Sequence, residues 1–243
     1  MVGWCYHYGI GVEKDENKAF IYYQKSAEMG DAHGTYMVGF CYRYGIGVEK
    51  YENKAFIYYQ KSAEMGNAIG TCMVGDCYRQ GIGVEKDENK AFIYYQKSAE
   101  MGDATGTNWA GYCYHHGIGV EKEENKAFIY YQKSAEMGNA SGINSIGYFY
   151  GNGIGVEKDE QKSFIYYQKS AEIEMGQVEG TYSVGICYRH GIGVEKDDNK
   201  ALIYYKKSAE MGDVRGMSSV AECYRNGIGV TRDLDKAMHW FQR

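Results

Sequence analysis

The chain has 243 residues, with 27 Lys and Arg against 32 Asp and Glu, a net charge of −5, 44% hydrophobic and 24% charged content. That balance describes a folded, soluble protein and speaks against a nucleic-acid partner, which calls for a basic face. No run approaches the roughly 18 apolar residues of a membrane span, and the opening Met1–Trp4 has neither the basic start nor the apolar core of a secretory leader.

One stretch organises everything else. The segment beginning Gly9-Ile10-Gly11-Val12 and ending at Gly30 returns seven times, with its opening glycine at Gly9, Gly45, Gly81, Gly117, Gly153, Gly191 and Gly227. The period is 36 residues, except for 38 between Gly153 and Gly191. A fixed period of this size marks a repeat solenoid whose units contact mainly their neighbours. The expected fold is all-α, a single array over residues 1–243. Its units are 1–30 (partial), 31–66, 67–102, 103–138, 139–176, 177–212 and 213–243 (partial).

Each unit reads as helix A, a glycine loop and helix B. In the second unit helix A runs from Asp31 to Tyr44, the loop from Gly45 to Lys50, and helix B from Tyr51 to Met65. Aspartate at Asp15, Asp87, Asp159, Asp197 and Asp233 suits the N-terminus of helix B, where it can accept from free backbone N–H groups. Tyr51 and Glu123 break that pattern and predict weaker helix starts. The glycine after the methionine that closes each helix B, at Gly30, Gly66, Gly102, Gly138, Gly176 and Gly212, is a left-handed stop. The two glycines of each Gly-Ile-Gly-Val predict tight turns at positive φ.

Along helix B, Ala19, Tyr22, Tyr23, Ser26 and Ala27 share a helical face. Phe20 and Ile21 are expected to pack between units, leaving Glu16, Lys18, Lys25 and Glu28 in solvent. On helix A, positions 35, 38, 39 and 42 form one side and barely change between copies. There Gly39 predicts close approach of helices A and B, with Tyr42 covering the gap. Positions 33, 37, 40 and 44 form the opposite side and diverge. Column 40 reads Trp4, Phe40, Asp76, Tyr112, Tyr148, Ile186 and Glu222; column 44 reads Tyr8, Tyr44, Gln80, His116, Asn152, His190 and Asn226.

Cysteine fills one helix A column, at Cys5, Cys41, Cys77, Cys113, Cys187 and Cys223, with Phe149 in its place in the fifth unit and Cys72 standing alone. A position that accepts a thiol or a phenyl ring is apolar and buried. Equivalent helices about 8–10 Å apart are too distant for a disulfide. Free thiols in a reducing, cytoplasmic setting are therefore expected.

The combination of Val38-Gly39 and Tyr42 with Gly45, Gly47 and Val48, then Lys54-Ala55, Tyr58-Tyr59, Lys61-Ser62-Ala63 and Gly66, resembles the Sel1-like repeat family, a relative of the tetratricopeptide repeats. The match recurs in every unit. It departs at Ser62, where the family has alanine, at Tyr58, where tryptophan is usual, and at Tyr51, where aspartate caps the helix. The resemblance implies an α/α, right-handed superhelical array acting as an adaptor or scaffold for other proteins, in signalling or in endoplasmic-reticulum quality control. A cysteine-rich bacterial branch of the family, linked to penicillin binding, places a cysteine where this chain has Ser26 or Ala27. Its disulfides do not carry over.

No catalytic constellation emerges. Ser-x-x-Lys and Gly-x-Ser-x-Gly are missing, as are Cys-x-x-Cys and His-Glu-x-x-His. Gly-Ile-Gly-Val is too short for a dinucleotide loop. No enzyme activity, metal or cofactor is expected. The diverging side of helix A is the candidate partner site, for a protein or peptide, carried by Phe40, Tyr44, Tyr112, His116, Tyr148, Ile186 and His190. Packing of these side chains against the next unit's helix A is the competing reading. A regulatory segment of a larger kinase-linked or quality-control assembly is the alternative function, and a penicillin-binding enzyme a remote one.

Two irregular places complete the reading. Ser170–Gly176 is two residues longer than its counterparts and predicts a local kink. The first helix A and last helix B are cut within the unit, which suggests a fragment of a longer array or end-to-end self-association.

Overall fold

In the computed structural model, residues 1–173 and 177–243 are described. Fourteen helices run through them. The first compact unit, Met1–Glu123, holds α1 (Val2–Tyr8), α2 (Glu16–Glu28), α3 (Ala32–Tyr44), α4 (Glu52–Glu64), α5 (Ala68–Gln80), α6 (Glu88–Glu100) and α7 (Ala104–His116). The second, Glu124–Arg243, holds α8 (Glu124–Glu136), α9 (Ala140–Asn152), α10 (Glu160–Ala171), α11 (Gln177–His190), α12 (Asp198–Glu210), α13 (Val214–Asn226) and α14 (Leu234–Phe241). Within each unit every helix packs on the next in sequence. Odd-numbered helices in the first unit are helix A of a repeat, and even-numbered ones are helix B.

Helix starts follow the caps. The Asp15 carboxylate accepts from the Lys18 backbone N–H at 2.9 Å, and Asp87, Asp159, Asp197 and Asp233 repeat the bond. Tyr51 makes no side-chain cap, yet α4 still begins at the equivalent residue. Helix A has a cap of its own that the aspartates before helix B overshadow in the sequence. Asp31, Asn67, Asp103 and Asn139 each accept from the N–H of the glycine three residues on.

The loop is tied down on both strands of the turn. The Cys41 carbonyl accepts from Gly45 N–H at 2.8 Å and Ile46 N–H at 3.0 Å, and the Tyr42 carbonyl accepts from Tyr51 N–H at 2.8 Å. Gly45 and Gly47 both lie at positive φ, 72° and 63°. Gly47 has a second duty. A Cβ there would fall inside the Glu16 backbone of the preceding repeat, and Gly83 meets Glu52 in the same way. The loops at Gly47, Gly83, Gly119, Gly193 and Gly229 thus sit directly on the start of the previous helix B.

The core is the side of helix A that barely changes between repeats, packed against helix B. Thr35, Val38 and Cys41 are fully buried, and Tyr42 nearly so. Gly39 lets the Tyr59 ring lie where a Cβ would otherwise stand, 2.8 Å from its Cδ1. Tyr42 stacks on Tyr58 at 5.7 Å and meets Phe20 of the preceding repeat edge-on at 5.4 Å. Ser62, the departure from the family's alanine, is buried and donates to the Ala32 carbonyl at 2.7 Å. A larger residue would collide with Gly70, whose Cβ position is already 2.6 Å from the Ser62 hydroxyl. Ser98 and Ser170 repeat the bond 30 residues back.

Two expectations are corrected. Phe20 is buried between repeats, but Ile21 points outward, as do Ile57, Ile93, Ile129, Ile165 and Ile203. One residue is about 100° on a helix, enough to carry Ile21 past the inter-repeat seam into solvent. Met37 is buried rather than part of the open side of helix A. All seven cysteines are free, and six are buried. At the longer junction α10 ends at Ala171, so the helix does not simply continue. The kink predicted there rests on residues 174–176, which lie outside the described residues.

Candidate functional site

Helix A places columns 40 and 44 one turn apart, so their side chains meet on one face. In the first unit this gives a ring pair in three of four repeats. Trp4 and Tyr8 lie 4.3 Å apart, Phe40 and Tyr44 4.7 Å, and Tyr112 and His116 4.2 Å. The outer member is exposed in each case, with Tyr8 at 54% and Tyr44 at 57%. The inner members Phe40 and Tyr112 are half-buried. His116 is held below the ordinary imidazole pKa by burial and then by Lys122, which favours the neutral ring.

The inner column is partly covered from the preceding repeat. His7 reaches Phe40 edge-on at 6.4 Å. Between repeats two and three the same juxtaposition is ionic. Arg43 donates through Nη2 to Asp76 Oδ2 at 2.9 Å, both side chains being nearly buried. Asp76 Oδ1 also accepts from Arg79 Nη2 and Gln80 Nε2, each at 2.6 Å. Arg79 Nε donates to the Tyr95 hydroxyl at 3.1 Å, and its guanidinium lies 4.4 Å over the Trp109 ring. Trp109 in turn meets Tyr112 edge-on at 5.2 Å. Arg43, Arg79 and Trp109 were not among the residues singled out from the sequence. Their signal was there in column 43, which reads His7, Arg43, Arg79, His115, Gly151, Arg189 and Arg225.

The second unit is plainer. Tyr148 is 45% exposed, and the Asn152 amide one turn on donates to the Tyr148 carbonyl at 2.8 Å. His190 is exposed. Ile186 is half-buried and packs against the core cluster of Ala201, Tyr205, Val220 and Cys223. Phe40, Tyr44, Tyr112 and His116 therefore share the first unit, and Tyr148, Ile186 and His190 the second.

Among the described residues, no group of three or more His, Cys, Asp or Glu side chains could hold a metal ion. No helix of the described residues is long and apolar enough to cross a membrane.

Consecutive helix pairs recurring about every 36 residues and joined by glycine loops define a helix-pair repeat protein. The Sel1 repeat family matches residues 1–31, 32–67, 68–103, 106–139, 140–173, 178–213 and 214–243. The chain belongs to that family. A Sel1 repeat protein from Oxalobacter formigenes is 30% identical over 99% of this chain and 94% of its own length, with a TM-score of 0.85. A protective antigen of uropathogenic Escherichia coli strains, displaying the same repeat fold, is 30% identical over 99% of this chain, with a TM-score of 0.73. The chain spans 51% of that antigen's length. An immunity protein from Pseudomonas aeruginosa, 21% identical over 87% of this chain and 80% of its own with a TM-score of 0.63, shares the fold alone. No curated protein sequence matches the chain.

Proposed function

We propose that this chain is a non-enzymatic adaptor that holds a peptide or a partner protein against the helix A side chains. The observation that carries the reading is the exposed ring pair set by columns 40 and 44, present in three of the four repeats of the first unit. Aromatic side chains and arginine dominate the energetics of protein interfaces. Here they are already fixed by their neighbours, so little side-chain entropy is lost on binding. Divergence between copies is also concentrated there. The exposed Lys18 and Lys25 columns of helix B stay basic throughout, whereas columns 40 and 44 take on different chemistry in nearly every repeat. Random drift would not spare one solvent face and alter the other.

A random-peptide display library selected on the whole chain tests this. Peptides retained by the native protein should bind the Tyr44→Ala/Tyr112→Ala double variant at least tenfold more weakly, with helicity by circular dichroism unchanged. Unaltered binding would overturn the proposal. Loss of helicity would assign the two tyrosines to the core instead.

A further inference from the structure

We infer that the partner of the first unit's helix A face presents an acidic side chain, and that Arg79 receives it. The inference rests on the proposed function and names the chemistry of its partner.

The charge pattern points that way. Residues 1–123 hold more acidic than basic side chains, but the acids lie in caps, loops and helix B. At positions 33, 36, 37, 40, 43 and 44 of the repeats in this unit, Asp76 is the single carboxylate. It faces two guanidiniums. Arg43, with its side chain 10% exposed, is spent on Asp76 Oδ2 and on a contact with Cys77 Sγ at 3.8 Å. Arg43 and Arg79 share the one carboxylate of Asp76, so the cluster carries a net positive charge on a surface otherwise aromatic and neutral.

Arg79 is also built to receive a ligand. Its side chain is 27% exposed. Asp76, the Tyr95 hydroxyl and the Trp109 ring hold it from three directions. Nε and one Nη2 hydrogen are used, and Nη1 has no hydrogen-bond partner among the described residues. An arginine has five N–H donors in a planar fork that matches a carboxylate. A fork already immobilised pays less to bind than a free one. Trp109 covers one face of the guanidinium, and Tyr112 packs edge-on against Trp109, so an acid bound there would lie beside aromatic rings that exclude water and strengthen the pair.

The test uses the same random-peptide library on the whole chain, with selection at low salt. Recovered peptides are expected to carry Asp or Glu next to apolar residues. A synthetic peptide from that pool should bind Arg79→Gln at least tenfold more weakly, while its Glu→Gln counterpart binds native protein and Arg79→Gln alike. Arg79→Lys keeps the charge but not the fork or the stacking, and should recover only part of the loss. Thermal melts of each variant confirm the fold. Peptides that lack acids, bind natively and are lost on Tyr44→Ala/Tyr112→Ala would overturn the role of Arg79 and leave the adaptor reading standing. Acidic peptides indifferent to Arg79→Gln would also overturn it. A library yielding nothing sensitive to the double variant would sink both.

Discussion

Tyr59 and Tyr95 occupy the same position in successive repeats, and both are fully buried. Their hydroxyls fare differently. Tyr95 Oη accepts from Arg79, whereas Tyr59 Oη has no partner, because Arg43 is drawn away to Asp76. Burial pushes both phenols far above their ordinary pKa, so each stays neutral. A buried hydroxyl without a bond is a cost, and one with a bond is a modest gain. Tyr59→Phe should therefore leave stability unchanged or raise it by up to about 1 kcal/mol, while Tyr95→Phe should lower it by about 1 kcal/mol. Urea melts of the two variants check the contrast, and equal losses would contradict it. The sequence could not separate the two tyrosines, since the repeats read identically around them. The difference comes from Asp76 standing where its neighbours have aromatic rings, and from a pair 33 residues apart that a column-by-column reading does not see.

At the level of the helix, the seven copies contain their own control. Tyr51 stands where Asp15 and Asp87 cap their helices. Those carboxylates are held below the usual range, first by the backbone N–H of the lysine three residues on and then by that lysine's side chain. A carboxylate depressed by folding contributes stability above its unfolded pKa and loses it as pH falls through the folded value. Tyr51→Asp should raise the melting temperature at pH 7 by about 2 °C, less whatever the Lys54 contact with the Tyr51 ring supplied. That gain should begin to fall as the pH drops below about 4, near the unfolded carboxylate pKa, and vanish once the pH lies below the lowered folded value. A gain that did not change at all between pH 7 and the acid limit of folding would mean the aspartate acts by shape rather than charge. Most helix boundaries were legible from such caps and from the glycine stops. Ile21 was misplaced because a single helical step separates a buried seam from open solvent. The caps of helix A were missed because Asp31 follows the Gly30 stop so closely that it reads as part of the turn.

For the molecule as a whole, the cysteine column supplies a set of reporters. Burial drives Cys41, Cys77, Cys113 and Cys187 up to about 12 and Cys223 to about 11, and Cys72 well above its ordinary value. The reactive form is the thiolate, so these groups are silent while their repeat is folded. Cys5 is only half-buried. Brief alkylation of the native chain at pH 8, read by peptide mass spectrometry, should modify Cys5 first. The other thiols should follow in the order in which their repeats open, because stability in such arrays is local and summed over neighbours. Modification of Cys77 as fast as Cys5 would refute the burial. The all-α helix-pair architecture was legible from the period, since near-copies of one segment fold alike. Function was less so, because what distinguishes one repeat protein from another is written in the few columns where the copies disagree.

Gly47 resting on the Glu16 backbone, a seat that Gly83, Gly119, Gly193 and Gly229 repeat on their preceding blocks, means that such a block carries a plug at its loop and meets a socket at the head of the previous helix B. A block removed or inserted whole brings a matching plug and socket with it, so the seam heals without any further substitution. Array length can thus change by whole blocks, and the helix A face proposed for binding would lengthen or shorten with it, while a change of a few residues at a loop has no such freedom.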